Sequence, residues 1–288
     1  MKIKLGLSDN LRPAVNIVWI KRDLRTQDHR SFQLAESAHL PYIPIYIFDK
    51  TLLQHPDVSE RHLAFIRDSI KDMNGILRPL GKEVKEFYGD SLTIFKWLNN
   101  HFQIKYVFSY QESGIALSWE RDKVVGRYFT ENRIQWTEFQ QNGVQRGRKN
   151  RKDWVKNWYT TMAKSPIINS FSPQEDPILT LKLDLAPFDW PRDSKPKDNI
   201  PAMQPGGQTK ARHYLITFGQ DRAVNYARFI SKPHKSRKHC SRLSPYISWG
   251  NLSIRQVYQY LKQHQNYQYH KRAFDALLVR LRWHCHFI

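Results

Sequence analysis

Between Ser241 and Arg255 the chain reads S-R-L-S-P-Y-I-S-W-G-N-L-S-I-R, which crowds hydroxyls, two arginines and two helix starts into one short stretch. Ser244 before Pro245 predicts an N-cap with proline at the first helical position, where its missing N–H costs nothing and its φ is already helical. The short helix that follows should stop at Gly250. Ser253 with Gln256 three residues on predicts a capping box opening a second helix through Ile254, Val257, Tyr258 and Leu261. Helix N-termini present unpaired N–H groups and partial positive charge, so Ser241, Arg242 and Ser244 are suited to receive a nucleotide pyrophosphate. Capping serines between two packed helices would leave the same pattern, so the spacing alone admits both readings.

A second constellation lies at Arg280 to Phe287, R-L-R-W-H-C-H-F. Phe274, Leu277, Leu278, Leu281, Cys285 and Ile288 recur at helical spacing and predict one core stripe, while Arg280, Trp283 and Phe287 fall on another face. Such a helix has a core to cover and something else besides, although packing of Trp283 on a neighbouring helix would use the same residue. Lysine and arginine outnumber aspartate and glutamate 46 to 26, a formal charge of +20, which points to a polyanionic partner, nucleic acid first. The excess gathers at Arg146–Lys152, R-G-R-K-N-R-K, and at Lys232–Arg242, with Trp154, Trp158, Tyr159, Tyr246 and Trp249 nearby. That mixture suits a groove for phosphate backbone and stacked bases; a solvated surface accounts equally for either run alone.

The elements that must position these groups begin at Val15. Val15–Ile20, Tyr42–Phe48, Glu83–Tyr88, Tyr106–Ser109 and Ile134–Phe139 read as strands, with helical stretches near 28–38, 59–80, 91–100 and 116–131 between them. The alternation predicts an α/β domain over residues 15–140 with a doubly wound, five-stranded parallel sheet, preceded by an extension, 1–14. Ligands of such sheets sit beyond the carboxyl ends of the strands, where the loop Lys21–His29 would lie. That loop runs K-R-D-L-R-T-Q-D-H and lacks G-x-G-x-x-G, which excludes a conventional nicotinamide site. Residues 141–208, with recurrent proline up to Pro201 and Pro205, read as an interdomain connector. Helical periodicity returns from 209 to 288, where Ala211, Tyr214, Leu215 and Phe218 share a face. Cys240 and Cys285 lack disulfide-framework or metal-ligand spacing, and no run is long and apolar enough to cross a bilayer. A cytoplasmic monomer is expected, with no metal.

S-R-L-S-P-Y followed by W-G-N-L-S-x-R resembles the flavin-phosphate loop of the cryptochrome and DNA photolyase family, and R-D-L-R-x-x-D after the first strand resembles the opening of that family's amino-terminal domain. The run G-V-Q-R-G-R-K-N-R-K-D-W-V-K-N-W is similar to a segment of its bacterial cryptochrome-like members. The resemblance implies FAD held by Tyr226, Ser241, Arg242, Leu243 and Ser244 in an all-α domain, and Arg22, Asp23, Arg25 and Asp28 bracing the two domains. It also implies Glu112 beside an antenna chromophore, a folate or deazaflavin, and DNA carrying a pyrimidine dimer against Arg280 and Trp283; Arg121 and Asp122 capping the next helix is the bland reading of the Glu112 loop. Cyclobutane-repairing relatives carry a glutamate where Arg280 stands, and arginine has no acceptor to offer. The apolar helix meets residue 288 without a stop signal, so a chain cut short within the helical domain is expected, retaining FAD weakly or not at all. The implied activity is a blue-light-driven lyase of deoxyribodipyrimidines in the full-length protein, with a signalling cryptochrome or a nucleotide-binding module without photochemistry as alternatives.

Overall fold

The computed structural model describes residues 12–191, 196, 200 and 203–287; the expected extension as far as residue 11, Pro201 and Ile288 lie outside the described residues. The chain order is β1 (Ala14–Ile20), α1 (Arg30–Ser37), β2 (Tyr42–Asp49), α2 (Lys50–Leu53), α3 (Glu60–Leu77), β3 (Lys85–Gly89), α4 (Ser91–His101), β4 (Gln103–Tyr110), α5 (Ala116–Glu131) and β5 (Gln135–Phe139). Then follow α6 (Trp154–Ala163), α7 (Pro177–Thr180), α8 (Gln208–Gln220), α9 (Tyr226–Phe229), α10 (Pro233–His239), α11 (Ser244–Ser248), α12 (Ile254–Gln263) and α13 (Lys271–Phe287).

The five strands form one parallel sheet in the order β3-β2-β1-β4-β5. β1 and β2 are near-continuous apolar runs, A-V-N-I-V-W-I and Y-I-P-I-Y-I-F-D, because both faces of a central parallel strand are covered. Pro44 is tolerated in β2 because it pairs with β1 alone; the ladder to β3 begins only at Ile45. On one face Val15, Ile17 and Trp19 pack with Phe95 and Leu98 of α4 and Val125 and Phe129 of α5. On the other, Val18 and Ile20 pack with Phe32 of α1 and Ile66, Ile70 and Met73 of α3. Two strand boundaries differ from expectation by more than one residue. β3 begins at Lys85 rather than Glu83, because the backbone of Val84 is taken by the Asn74 side chain, which accepts from its N–H at 2.8 Å and donates to its carbonyl at 3.3 Å. β4 is longer than its apolar run, since Gln103 and Ile104 pair with Ala14 and Val15.

Helices α6, α8, α9, α11, α12 and α13 share a separate core that includes Trp158, Phe218, Tyr246, Val257, Leu261 and Phe274, while Ile178 of α7 packs in the core of the sheet layer. The segment read as a connector is only partly irregular. It contains α6, whose Trp154, Trp158 and Met162, four residues apart, are buried in that core beside α12. It then runs back over the sheet layer, where the Ile167 N–H donates to Asp28 at 2.8 Å and the Gln174 side chain pairs with the backbone of Tyr42.

The bracing expected of the 21–29 loop is explicit. The Leu24 N–H donates to the Trp249 carbonyl at 3.1 Å, the Asn251 side chain to the Leu24 carbonyl at 2.8 Å, and the Arg25 guanidinium to the Gly250 carbonyl at 3.0 Å. Asp28 accepts from Ser253 Oγ and from Arg255. Burial would raise this carboxyl, but the Arg255 hydrogen bond, the charge of Arg25 and the Ser253 hydroxyl hold it below its ordinary value.

Candidate functional site

Strand growth runs one way through β1, β2 and β3 and the other way through β4 and β5, so the carboxyl ends of β1 and β4 face a crevice that neither layer of helices fills. Lys21 and Arg22 leave β1 at this point, and Gln111 to Ile115 leave β4. A charged lattice fixes them. Lys21 Nζ lies 3.0 Å from Asp122 and 3.4 Å from Glu138, Arg121 lies 2.7 Å from both Glu112 and Asp122, and Arg22 lies 3.2 Å from Glu112. Burial would raise the Glu112 carboxyl, but Arg121, Lys21 and Arg22 bring it down to about 2. Arg121 and Asp122 are therefore not caps, as the bland reading of the loop had them: they lie inside α5, whose N-cap is Ile115, and their side chains build the crevice wall.

Two cavities meet at this wall. The first, about 330 Å³, is lined by Arg22, Tyr46, Phe48, His62, Glu112 and Trp249 among others. The Arg22 guanidinium lies over the Trp249 ring at 4.6 Å, making one flat cationic surface. The second is an open groove of about 510 Å³ that shares Arg22, Glu112 and Ser248 with the first and is otherwise lined by Gln141, Asn142, Ile247, Arg280, Trp283 and His284. Trp283 is 47% exposed, and the Arg280 guanidinium lies 5.6 Å from its ring centre. As expected, Phe274, Leu277, Leu278, Leu281 and Cys285 are buried on the opposite side of α13.

The serine loop departs from expectation in one respect. Ser244 is not the N-cap of α11 but its first residue; Leu243, buried and in the α region, precedes it, and no side chain caps the helix. The reason is Arg242, whose φ of +58° turns the chain so that Ser241 Oγ accepts from the Leu243 N–H at 3.4 Å and Ser244 is left exposed. The start of α11 thus keeps its free N–H groups next to an exposed hydroxyl and a guanidinium, a donor set that fits a diphosphate. The other caps are as expected: α12 opens with the Ser253–Gln256 capping box, and Gly250 at φ +73° closes the turn after α11. Arg222 ties the loop to α8 through the carbonyls of Cys240 and Ser241, 2.5 and 3.2 Å away. Tyr226 is buried against Phe218, and burial pushes its hydroxyl up to about 12 against the nearby charge of Arg280.

The structure therefore gathers Arg280, Trp283, Glu112 and the carboxyl end of α11 on one groove, with Tyr226 buried against Phe218 and outside that groove. Residues 241–244 line neither cavity; their link to the groove is α11 itself, which carries Ile247 and Ser248 into its wall. Sequence reasoning missed Trp249 as a wall of the first cavity and His284 in the groove. Trp249 was legible as part of the W-G-N-L-S-x-R pattern and as one of the aromatics near the basic runs, neither of which points to this cavity. His284, four residues after Arg280, has a buried Nδ1 without a partner, and burial lowers its affinity for a proton.

The family model for DNA photolyase matches residues 16–153, the whole of the sheet layer and the loop that leads to α6. A deoxyribodipyrimidine photo-lyase of Halobacterium salinarum is 24% identical over 267 residues, covering 85% of this chain and 54% of that protein. These matches support membership of the cryptochrome and DNA photolyase family. Solved structures agree in fold. A Synechocystis sp. PCC6803 cryptochrome superposes with a TM-score of 0.79 at 17% identity, over 96% of this chain and 61% of that one. An archaeal photolyase from Sulfolobus tokodaii, described with two FAD molecules, gives 0.62 at 18% identity over 90% and 57%. The chain thus spans between half and two thirds of the length of these relatives. Among its described residues no helix is long and apolar enough to cross a membrane.

Proposed function

We propose that this cryptochrome and photolyase family chain forms the light-harvesting half and the substrate wall of a blue-light-absorbing flavoprotein that repairs pyrimidine dimers in DNA. The observation that supports this most is the groove in which exposed Trp283, paired with Arg280, faces the carboxyl end of the helix opened by the serine loop. FAD, which the family normally binds, supplies blue-light absorption and reversible one-electron donation. Ser241, Arg242 and Ser244 would hold its diphosphate, Leu243 anchors their turn in the core, and Tyr226 backs them. Trp283 offers a flat apolar surface to an unstacked pyrimidine, and Arg280 a cation to the adjoining phosphate. No side chain has to act as acid or base.

In this reading residues 15–140 form the α/β domain and 209–287, joined by α6, the first part of the helical one. The cavity under Trp249 would take an antenna chromophore, a folate or deazaflavin or a second flavin. Arg22 and Trp249 would stack on its ring, and Glu112 would keep Arg22 in place, since each Glu112 oxygen already accepts from an arginine. A signalling role without repair is the second reading, and Arg280 favours it, because a guanidinium cannot accept the hydrogen bonds that a carboxylate at this position would. The test is full-length protein reconstituted with FAD and a thymine-dimer oligonucleotide under blue light. Loss of dimers supports repair, a flavin spectrum with no loss supports signalling, and a protein that takes up no flavin refutes both.

A further inference from the structure

The two basic runs look alike in sequence, and the fold puts them to different uses. In the 146–152 loop every arginine is engaged inside the molecule. Arg146 bonds to Glu138 at 3.5 Å and to the Glu112 carbonyl while lying over Trp119 at 5.5 Å. Arg148 folds back on its own loop, donating to the Asn150 carbonyl at 2.7 Å and to that of Lys152. Arg151 donates to the His286 ring. This run is a clasp that joins the loop to β5 and to α13.

The second run does the opposite. Arg228, Lys232, Lys235, Arg237 and Lys238 are all exposed, and no carboxylate among the described residues pairs with any of them. None could do so locally, because no aspartate or glutamate occurs between Arg222 and Phe274. Arg228, Lys232 and Lys235 lie 5.3, 5.8 and 5.0 Å from the ring centre of one residue, Phe229, whose negative faces hold the cations together despite their repulsion. α10 itself buries no side chain fully; it rests against α9, where the His239 ring meets that of Phe229 at 4.9 Å, and turns its lysines and Arg237 to solvent.

We infer that α10, with Arg228 and Lys232 leading into it, is the surface that grips the phosphate backbone of duplex DNA without reading sequence, and that the arginines of the 146–152 loop are not part of it. The inference rests on the DNA reading above and goes beyond it by assigning the contact to one of two candidate surfaces. Duplex DNA fits better than an anionic membrane because α10, P-H-K-S-R-K-H, has Pro233 as its one apolar residue and so no apolar face to insert among acyl chains. A row of unpaired cations suits contacts to phosphate, which position a duplex without specifying its sequence.

Binding of a fluorescent 20-base-pair duplex at several salt concentrations tests this, because each phosphate contact contributes about 0.9 to the slope of log K against log salt. Replacing Lys235, Arg237 and Lys238 together with alanine should flatten the slope by about 3, while the Arg148→Ala, Arg151→Ala pair leaves it unchanged, because both guanidiniums are already engaged. Far-UV circular dichroism should be native for both, since none of these side chains is buried. Flattening by the pair and not by the triple overturns the assignment. Salt-dependent binding to phosphatidylserine vesicles with none to the duplex overturns it in favour of a membrane. An unmodified protein that binds neither overturns the DNA reading and this surface together.

Discussion

Gly250 is a close approach of the helical layer to the sheet layer, and Gly250→Ala is a sharp test of how the site is held. A Cβ there would lie 2.2 Å from the Arg22 carbonyl oxygen and 2.7 Å from Asp23 Cα, both backbone atoms that no rotamer can move away. At φ +73° a side chain also costs about 1–2 kcal/mol in any surroundings. Restoring ordinary contact needs a shift of roughly 1 Å between the 22–25 and 249–251 segments, since relaxed Cβ contacts lie at about 3.4 Å or more. These segments are joined by three hydrogen bonds of 2.8 to 3.1 Å, one of them from a guanidinium. Losing half of their combined worth adds about 2 kcal/mol, for an expected loss near 4 kcal/mol. Equilibrium urea unfolding followed by tryptophan fluorescence measures it. Gly75→Ala is the internal control: Gly75 lies in α3, a Cβ there meets nothing within 4 Å, and the change should stabilise by about 0.5–1 kcal/mol. A loss below about 1 kcal/mol for Gly250→Ala would mean that the layers do not depend on this approach, and the reasoning would be refuted.

Arg242→Gly should act with opposite signs: relief of the φ +58° backbone stabilises the fold by about 1 kcal/mol, while loss of the guanidinium weakens FAD binding by about tenfold to hundredfold, seen by flavin fluorescence titration. Because the Glu112 carboxyl falls from 4.5 to about 2 on folding, its contribution, on the order of 3 kcal/mol, is complete above pH 4.5 and disappears as pH falls towards 2. Urea midpoints measured across that window should drop steeply in the native protein and more shallowly in Glu112→Gln. Ser253→Ala removes both the α12 cap and a hydrogen bond to the Asp28 carboxylate, and should cost about 2–4 kcal/mol in the same unfolding assay; Ser248→Ala, exposed at the end of α11, should cost less than about 0.5 kcal/mol.

The contribution of the sequence by itself is local. Alternating apolar runs and helical stretches are enough to place all five strands and their parallel order, because a strand covered on both faces must be continuously apolar and a crossover must be long enough to be a helix. The capping box at Ser253 and the core stripe of α13 are equally legible, since both depend on residues within a few positions of one another. Even here a neighbour distant in sequence can intervene, as Asn74 does when it takes the backbone of Val84 and shortens β3. α6 was hidden by its basic approach and proline-rich sequel, although Trp154, Trp158 and Met162 carried the period.

What only the tertiary structure decided is which groups are spent and which remain available. Arg146, Arg148 and Arg151 look as free as Lys235, Arg237 and Lys238 until the fold brings Glu138 and His286 to the first set and leaves the second in solvent. Glu112 resembles a free acceptor until Arg22 and Arg121 converge on it from positions 90 and 9 residues away. Both cavities are lined by strand ends, helices and loops spread over the chain, and they lie where strand order reverses between β1 and β4. Charge pairing and cavity formation are properties of distance in space, and the order of residues along a chain does not contain that distance until the core has packed.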